Sequence, residues 1–210
     1  MAKREDGKET RLRLLNAAGE VFAQKGYRDA KVADICKRAE ANVAAVNYYF
    51  GDKKSLYREV WRHTLGNSEI AAFFESAVGS SQDRLREYIQ SLIHSFASNG
   101  NMGRFSRLYL MEIVNPTGLI QAAWHETIEP QRRKLHDILR EIIGPGAEDL
   151  TIRFCELSIV NQCRMFVTIK RSDVEYMLDQ PIEPKLIDRL ADHIADFSIA
   201  GIREVGKRKT

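Results

Sequence analysis

Between Lys31 and Lys53 the sequence gathers side chains suited to one kind of non-covalent chemistry. Asn47 carries an amide, Tyr48 and Tyr49 carry phenol hydroxyls, and Lys31 and Lys53 carry ammonium groups. The small residues Val43, Ala44 and Ala45 come just before them. An amide at the floor of a DNA major groove bonds adenine bidentately, and a methyl group there touches thymine. Hydroxyl and ammonium groups bind backbone phosphates and set the register of docking. Asn47 has two readings, a base contact or a structural hydrogen bond.

Other chemistries find less support. His125-Glu126-Thr127-Ile128-Glu129 starts like a helical zinc motif but lacks the second histidine. Gly100-Asn101-Met102-Gly103 has neither the spacing nor the strand of a phosphate loop, and no nucleophile-elbow signature occurs. Cys155 and Cys163 lie eight residues apart, about 12 Å along a helix and beyond disulfide reach. They read as buried free thiols, while Cys36 lies in the head before Lys37 and Arg38 with its exposure open. No acid–base or metal constellation is present, so an enzyme, a cofactor and a metal are not expected.

Charge is distributed unevenly. The net charge is +3, but residues 1–60 hold 13 Lys and Arg against 9 Asp and Glu, and the remainder is nearly balanced. The positive excess thus accompanies the candidate residues. No run of about 18 apolar residues suggests a membrane span. The charged start, MAKREDGKETR, has no apolar segment behind it, and the three scattered cysteines suit a reducing compartment, so a cytoplasmic protein is expected.

The elements that must position these residues are helical. Leu12, Leu15, Ala18, Val21 and Phe22 form one stripe of a first helix over 9–24, and Gly26 stops it. Short helices follow over 31–38 and 43–49, the first turning Val32 and Ile35 inward and the second capped by Asn42. Asp52 caps a longer helix running towards Phe74. Two short helices separated by about four residues and packed on longer ones make a helix-turn-helix. Val46, Phe50 and Leu56 belong to its core. Further helices are expected over 82–98, 104–114, 118–143, 149–171 and 184–204, with Pro130 kinking or splitting the third of these. The fold class is all-α, a three-helix head on a larger helical body.

The segment VADICKRAEANVAAVNYYFGDKKSLYREV, residues 32–60, together with Gly26-Tyr27, resembles the TetR family of transcriptional regulators. The run Ala44 to Gly51 is most similar to the CecR-like subgroup. The resemblance implies a DNA-binding head at 1–55, an effector-binding and dimerisation body at 56–210, and a repressor released from operator DNA by a small molecule. It points to DNA contacts by Lys31, Val43, Ala44, Ala45, Asn47, Tyr48, Tyr49 and Lys53. Three residues depart from the pattern. Glu40 stands where glycine is usual, at a turn position for which a left-handed backbone suits glycine better. Lys31 replaces a capping Thr, and Asn47 replaces a frequent Tyr. The competing reading is a helical ligand-binding or protein-interaction protein without DNA function.

The resemblance also implies an effector pocket among the middle helices. Phe96, Phe105, Leu108, Met111, Trp124 and Ile128 are its candidate apolar walls. Glu112, Gln121, His125, Asn161, Gln162 and Arg164 are its candidate polar groups, and the ligand would be largely apolar. Each of these side chains has ordinary core or surface packing as its alternative. In segment 149–171, Ile152, Cys155, Ile159, Cys163 and Phe166 form one apolar stripe. Phe154, Leu157, Val160 and Met165 form another, so the helix needs cover on two sides. Leu186, Ile187, Leu190, Ile194, Phe197 and Ile202 form the apolar set of the last helix. In the family these two helices pair with their copies to make a homodimer.

Overall fold

The computed structural model describes residues 2–66, 78–97 and 101–207. They form α1 (Ala2–Asp29), α2 (Val32–Ala39), α3 (Val43–Phe50), α4 (Lys53–Gly66), α5 (Ser81–Ala97) and α6 (Asn101–Val114). The chain continues with α7 (Gln121–Ile143), α8 (Asp149–Cys163), α9 (Met165–Thr168), α10 (Arg171–Leu178) and α11 (Pro184–Lys207). No strand occurs among the described residues, as the helical periodicity requires. The far end of the helix expected to reach Phe74, and the breaks and tail expected at 99–100 and 208–210, lie outside the described residues.

Two compact units result, Met1–Asn67 with Arg104–Ile128, and Ser68–Gly103 with Glu129–Thr210. In the first, α1 to α4 close around Leu14, Leu15, Ala18, Phe22, Ile35, Val46, Leu56, Tyr57 and Trp61, all buried. Gly26 takes φ 72°, ψ 172° and breaks the helical path, as expected of a glycine after the apolar run. The second unit buries Leu85, Ile89, Ile93, Leu135, Leu139, Ile152, Ile159 and Ile194. Its helices α5 and α11 are also tied by the Arg86–Asp196 ion pair and by the contact of His94 Nε2 with Asp188 Oδ1 at 2.9 Å. A β-carbon on Gly206 would stand 2.9 Å from the Ile143 carbonyl oxygen, so only glycine lets α11 pass the end of α7 there.

Several expectations need correction. The first helix begins at Ala2, well before residue 9, and Leu12 is exposed rather than part of the buried stripe. Leu14 takes its place in the core. Val32 is only half-buried. Helix α7 starts at Gln121 and runs unbroken past Pro130, so the proline does not split it. The single helix expected over 149–171 ends at Cys163, and α9 and then α10 follow. Helix α10 was not foreseen. Its eight residues bury one side chain, Val174, so they carry little periodic signal.

Candidate nucleic-acid interface

The recognition element is fixed at both ends by local chemistry. The Asn42 side chain accepts the Ala45 amide at 2.8 Å and caps α3. Asp52 Oδ1 accepts the Ser55 amide at 2.6 Å and caps α4. That bond, chiefly, holds the Asp52 carboxyl below its ordinary pKa. Between α2 and α3, Glu40 adopts φ 50°, ψ 46°, and the amide beyond it, on Ala41, donates to the Cys36 carbonyl at 3.0 Å. The left-handed backbone expected at this turn is therefore present, carried by a residue with a β-carbon.

Helix α3 buries Val46 and Phe50 against the head and turns its other residues outward. Val43, Ala44, Asn47 and Tyr48 are exposed, Tyr48 to 83%, while Ala45 and Tyr49 are half-buried. The Tyr48 and Tyr49 rings meet edge to face at 4.9 Å. The side chain of Asn47 and the hydroxyls of both tyrosines have no hydrogen-bond partner among the described residues. Lys31 occupies the N-cap position of α2, exposed and making no capping bond. Lys53 is the more constrained cation. Its ammonium lies 4.7 Å from the centre of the Tyr27 ring and donates to the Arg28 carbonyl at 3.3 Å. Burial lowers its pKa.

The sequence reading missed two supports of this surface. Arg11 sits over the Phe50 ring at 5.2 Å and pairs with Glu59 at 2.7 Å, pinning α1 to the end of α3 and to α4. A β-carbon on Gly7 would stand 3.3 Å from Tyr49 Oη, so α1 passes close beside the recognition helix. A glycine within the charged opening stretch of the first helix was the available signal.

The candidate effector residues divide between the units. In the first unit Leu108 is fully buried, Met111 and Ile128 are half-buried, and Trp124 stacks on Tyr109 at 5.3 Å. Gln121 and His125 are exposed. Glu112 is buried, and its carboxylate accepts bonds from Tyr57 Oη at 3.0 Å and from the Thr117 amide at 2.8 Å. In the second unit Phe96 is buried, and Arg164 ends α8. Asn161 and Gln162 donate to carbonyls of their own helix, Leu157 at 2.8 Å and Ser158 at 3.0 Å. The side chain of Phe105 lies outside the described residues. Cys36, Cys155 and Cys163 are free and buried, and burial pushes the Cys163 thiol up to about 12.

One apolar surface of the second unit remains open. Phe154, Leu157 and Phe197 are more than half exposed, although each belongs to an apolar stripe of the sequence. A groove of about 290 Å³ runs between α8 and α11, lined by Phe154, Cys155, Ile159, Phe197, Gly201 and Ile202 among others.

Comparison with known proteins follows the same division of the chain. Residues 14–60 match the family described as bacterial regulatory proteins, tetR family, and residues 81–202 match the C-terminal domain of the HTH-type transcriptional dual regulator CecR. The chain is 30% identical to the HTH-type transcriptional regulator AcrR of Shigella flexneri over 113 residues, 53% of this chain and 50% of that one. It thus spans only half of that relative. Against the HTH-type transcriptional repressor NicS of Pseudomonas putida it is 26% identical over 201 residues, 92% of each chain. Its fold is similar to that of the transcriptional regulator FadR from Bacillus subtilis, crystallised with stearoyl-CoA. The TM-score is 0.68 at 18% identity, covering 90% of this chain and 98% of that one.

Proposed function

Since this chain belongs to the TetR family of bacterial regulatory proteins, with a C-terminal domain of the CecR type, we propose that it is a dimeric repressor that leaves its operator when a small molecule binds. The observation that carries this reading is the outward face of α3. Asn47, Tyr48 and Tyr49 present polar atoms with no partner among the described residues, on a helix capped and packed so that they cannot turn inward. Water satisfies these accessible groups in the free protein, and operator bases and phosphates can take its place.

In this reading residues 1–55 form the head and residues 56–210 the body. Lys31, Tyr49 and Lys53 hold phosphates, and Val43, Ala44, Ala45, Asn47 and Tyr48 face the groove. Two heads about 34–36 Å apart read a two-fold related site. The exposed aromatic surface of α8 and α11 supports dimerisation through those helices, because a two-fold contact buries the same patch on both copies. The effector is largely apolar. It favours a head arrangement that fits DNA poorly, with a coupling of about 1–3 kcal/mol. A family made of transcriptional regulators argues for a protein without enzymatic activity, and its partner DNA puts it in the cytoplasm.

A gel-shift titration against the DNA upstream of its own coding region, at several salt concentrations, tests the reading. Binding should weaken steeply with salt, because phosphate contacts release counterions. Tyr49→Ala and Lys53→Ala should weaken it on every sequence. Absence of binding at low salt removes the DNA function and leaves a helical ligand-binding or interaction protein.

A further inference from the structure

The α1 segment beside Tyr49 carries a cation that the folded head does not use. Lys8 is exposed and has neither an ion-pair nor a hydrogen-bond partner among the described residues. Its helix neighbour Arg11 is different, being committed to Glu59 and to the Phe50 ring. Residue 7 is a glycine although it lies inside α1, where glycine costs about 1 kcal/mol relative to alanine. A β-carbon there would come within 3.3 Å of Tyr49 Oη, tighter than ordinary van der Waals contact. The glycine therefore leaves room for the Tyr49 hydroxyl, and that hydroxyl has no partner among the described residues.

These facts concern one small region. Consecutive Cα atoms are about 3.8 Å apart, so the Lys8 side chain springs from the backbone immediately next to the one that touches Tyr49. Successive side chains on a helix point about 100° apart, so Lys8 leaves α1 beside the contact with Tyr49 rather than into it, and its ammonium and the Tyr49 hydroxyl are two groups at one edge of the head that the head does not use. Each is a donor that suits an anionic oxygen, as on a backbone phosphate. Resting on the DNA-binding reading above, we propose that Lys8 is a further DNA contact. It holds a backbone phosphate at the flank of the site, near the edge where Tyr49 stands, so the operator interface extends beyond the helix-turn-helix onto the first turns of α1.

Such a contact contributes affinity without sequence preference, and its signature is the salt dependence. The test uses the full chain and a mixed-sequence duplex of roughly two helical turns, with log K measured against log salt. Lys8→Ala is expected to weaken binding on all sequences and to reduce the slope by about one phosphate contact per subunit. Lys8→Arg is expected to restore the slope. Thermal melting of each variant checks that an exposed substitution leaves the fold intact. If the unsubstituted chain binds and Lys8→Ala leaves the slope unchanged, the Lys8 contact is overturned while the DNA reading stands. If the unsubstituted chain binds no DNA at any salt concentration, the DNA reading fails first and this contact with it.

Discussion

Tyr57 and Glu112 are joined by a buried hydrogen bond: the phenol of Tyr57, 1% exposed, donates to Glu112 Oε2 at 3.0 Å. The ring also packs edge to face on Phe22 at 4.9 Å, in the centre of the head. Glu112 in turn receives the amide and the hydroxyl of Thr117, each at 2.8 Å. One carboxylate thus ties α4 to the end of α6 and the turn after it. Burial drives the Tyr57 pKa upward, with the Glu112 charge adding to the effect, so the phenol remains a donor. Tyr57→Phe is expected to cost about 1.5–3 kcal/mol, the range for a hydrogen bond to a charged group. Urea unfolding measures it, and a loss under about 0.5 kcal/mol would mean that the bond contributes nothing net.

The turn before the recognition helix stores removable strain. Glu40 holds φ 50° with a β-carbon, a conformation that costs about 1–2 kcal/mol for L-residues. Glu40→Gly should therefore stabilise the chain by about 1 kcal/mol, after allowance for the freer unfolded chain. At this size the melting midpoint would rise by about 2–4 °C. A fall in the midpoint would show that the Glu40 side chain stabilises the turn in a way its exposed position does not explain.

Acid should loosen the second unit through Glu156. Burial on its own raises this carboxyl's pKa, but Arg132 at 2.5 Å and His136 at 2.7 Å outweigh it and hold the carboxyl below its ordinary value. A lowered folded pKa means that the stabilisation is fully present above the unfolded value, about 4.3, and is lost as pH falls through the folded value. Glu156→Gln should destabilise at neutral pH, by about 1–3 kcal/mol given that Arg132 is one-third exposed, and should flatten stability over that acid range. Melting curves from pH 7 down to about pH 3 decide it, and an unchanged acid limb would exclude Glu156 as its source.

The aromatic surface of α8 and α11 makes the proposed dimer testable. Phe197 is 64% exposed beside the α8–α11 groove. Phe197→Glu places a charge where a two-fold contact would bury it, and is expected to shift the protein to monomer by at least tenfold in dissociation constant. Sedimentation velocity over a concentration series reads this directly. A variant that remains dimeric with unchanged affinity would move the dimer contact elsewhere.

Asn47 separates base reading from mere proximity. If it bonds adenine, Asn47→Ala should cost about 1–3 kcal/mol on the preferred operator and relax preference at one position per half-site. Selection of bound sequences from a random pool gives the readout. An equal loss on all sequences would make Asn47 a phosphate or shape contact.

What the sequence determined by itself is what short stretches encode. The Asn42 and Asp52 caps and the glycine break at position 26 act within a few residues, and the structure shows each where local chemistry put it. The left-handed turn at Glu40 was legible only through the family resemblance, in which glycine is usual at that position. Tertiary structure decided everything that depends on which face meets which neighbour. Cys155 and Phe154 are adjacent and both apolar, yet one is buried and the other exposed, because cover comes from elements distant in sequence. Glu112 found its partner 55 residues away, and Lys53 settled over Tyr27. The α8 segment stopped at Arg164 although its apolar pattern continues. Periodicity records that a side chain avoids water, but only the folded chain supplies the surface that removes it from water.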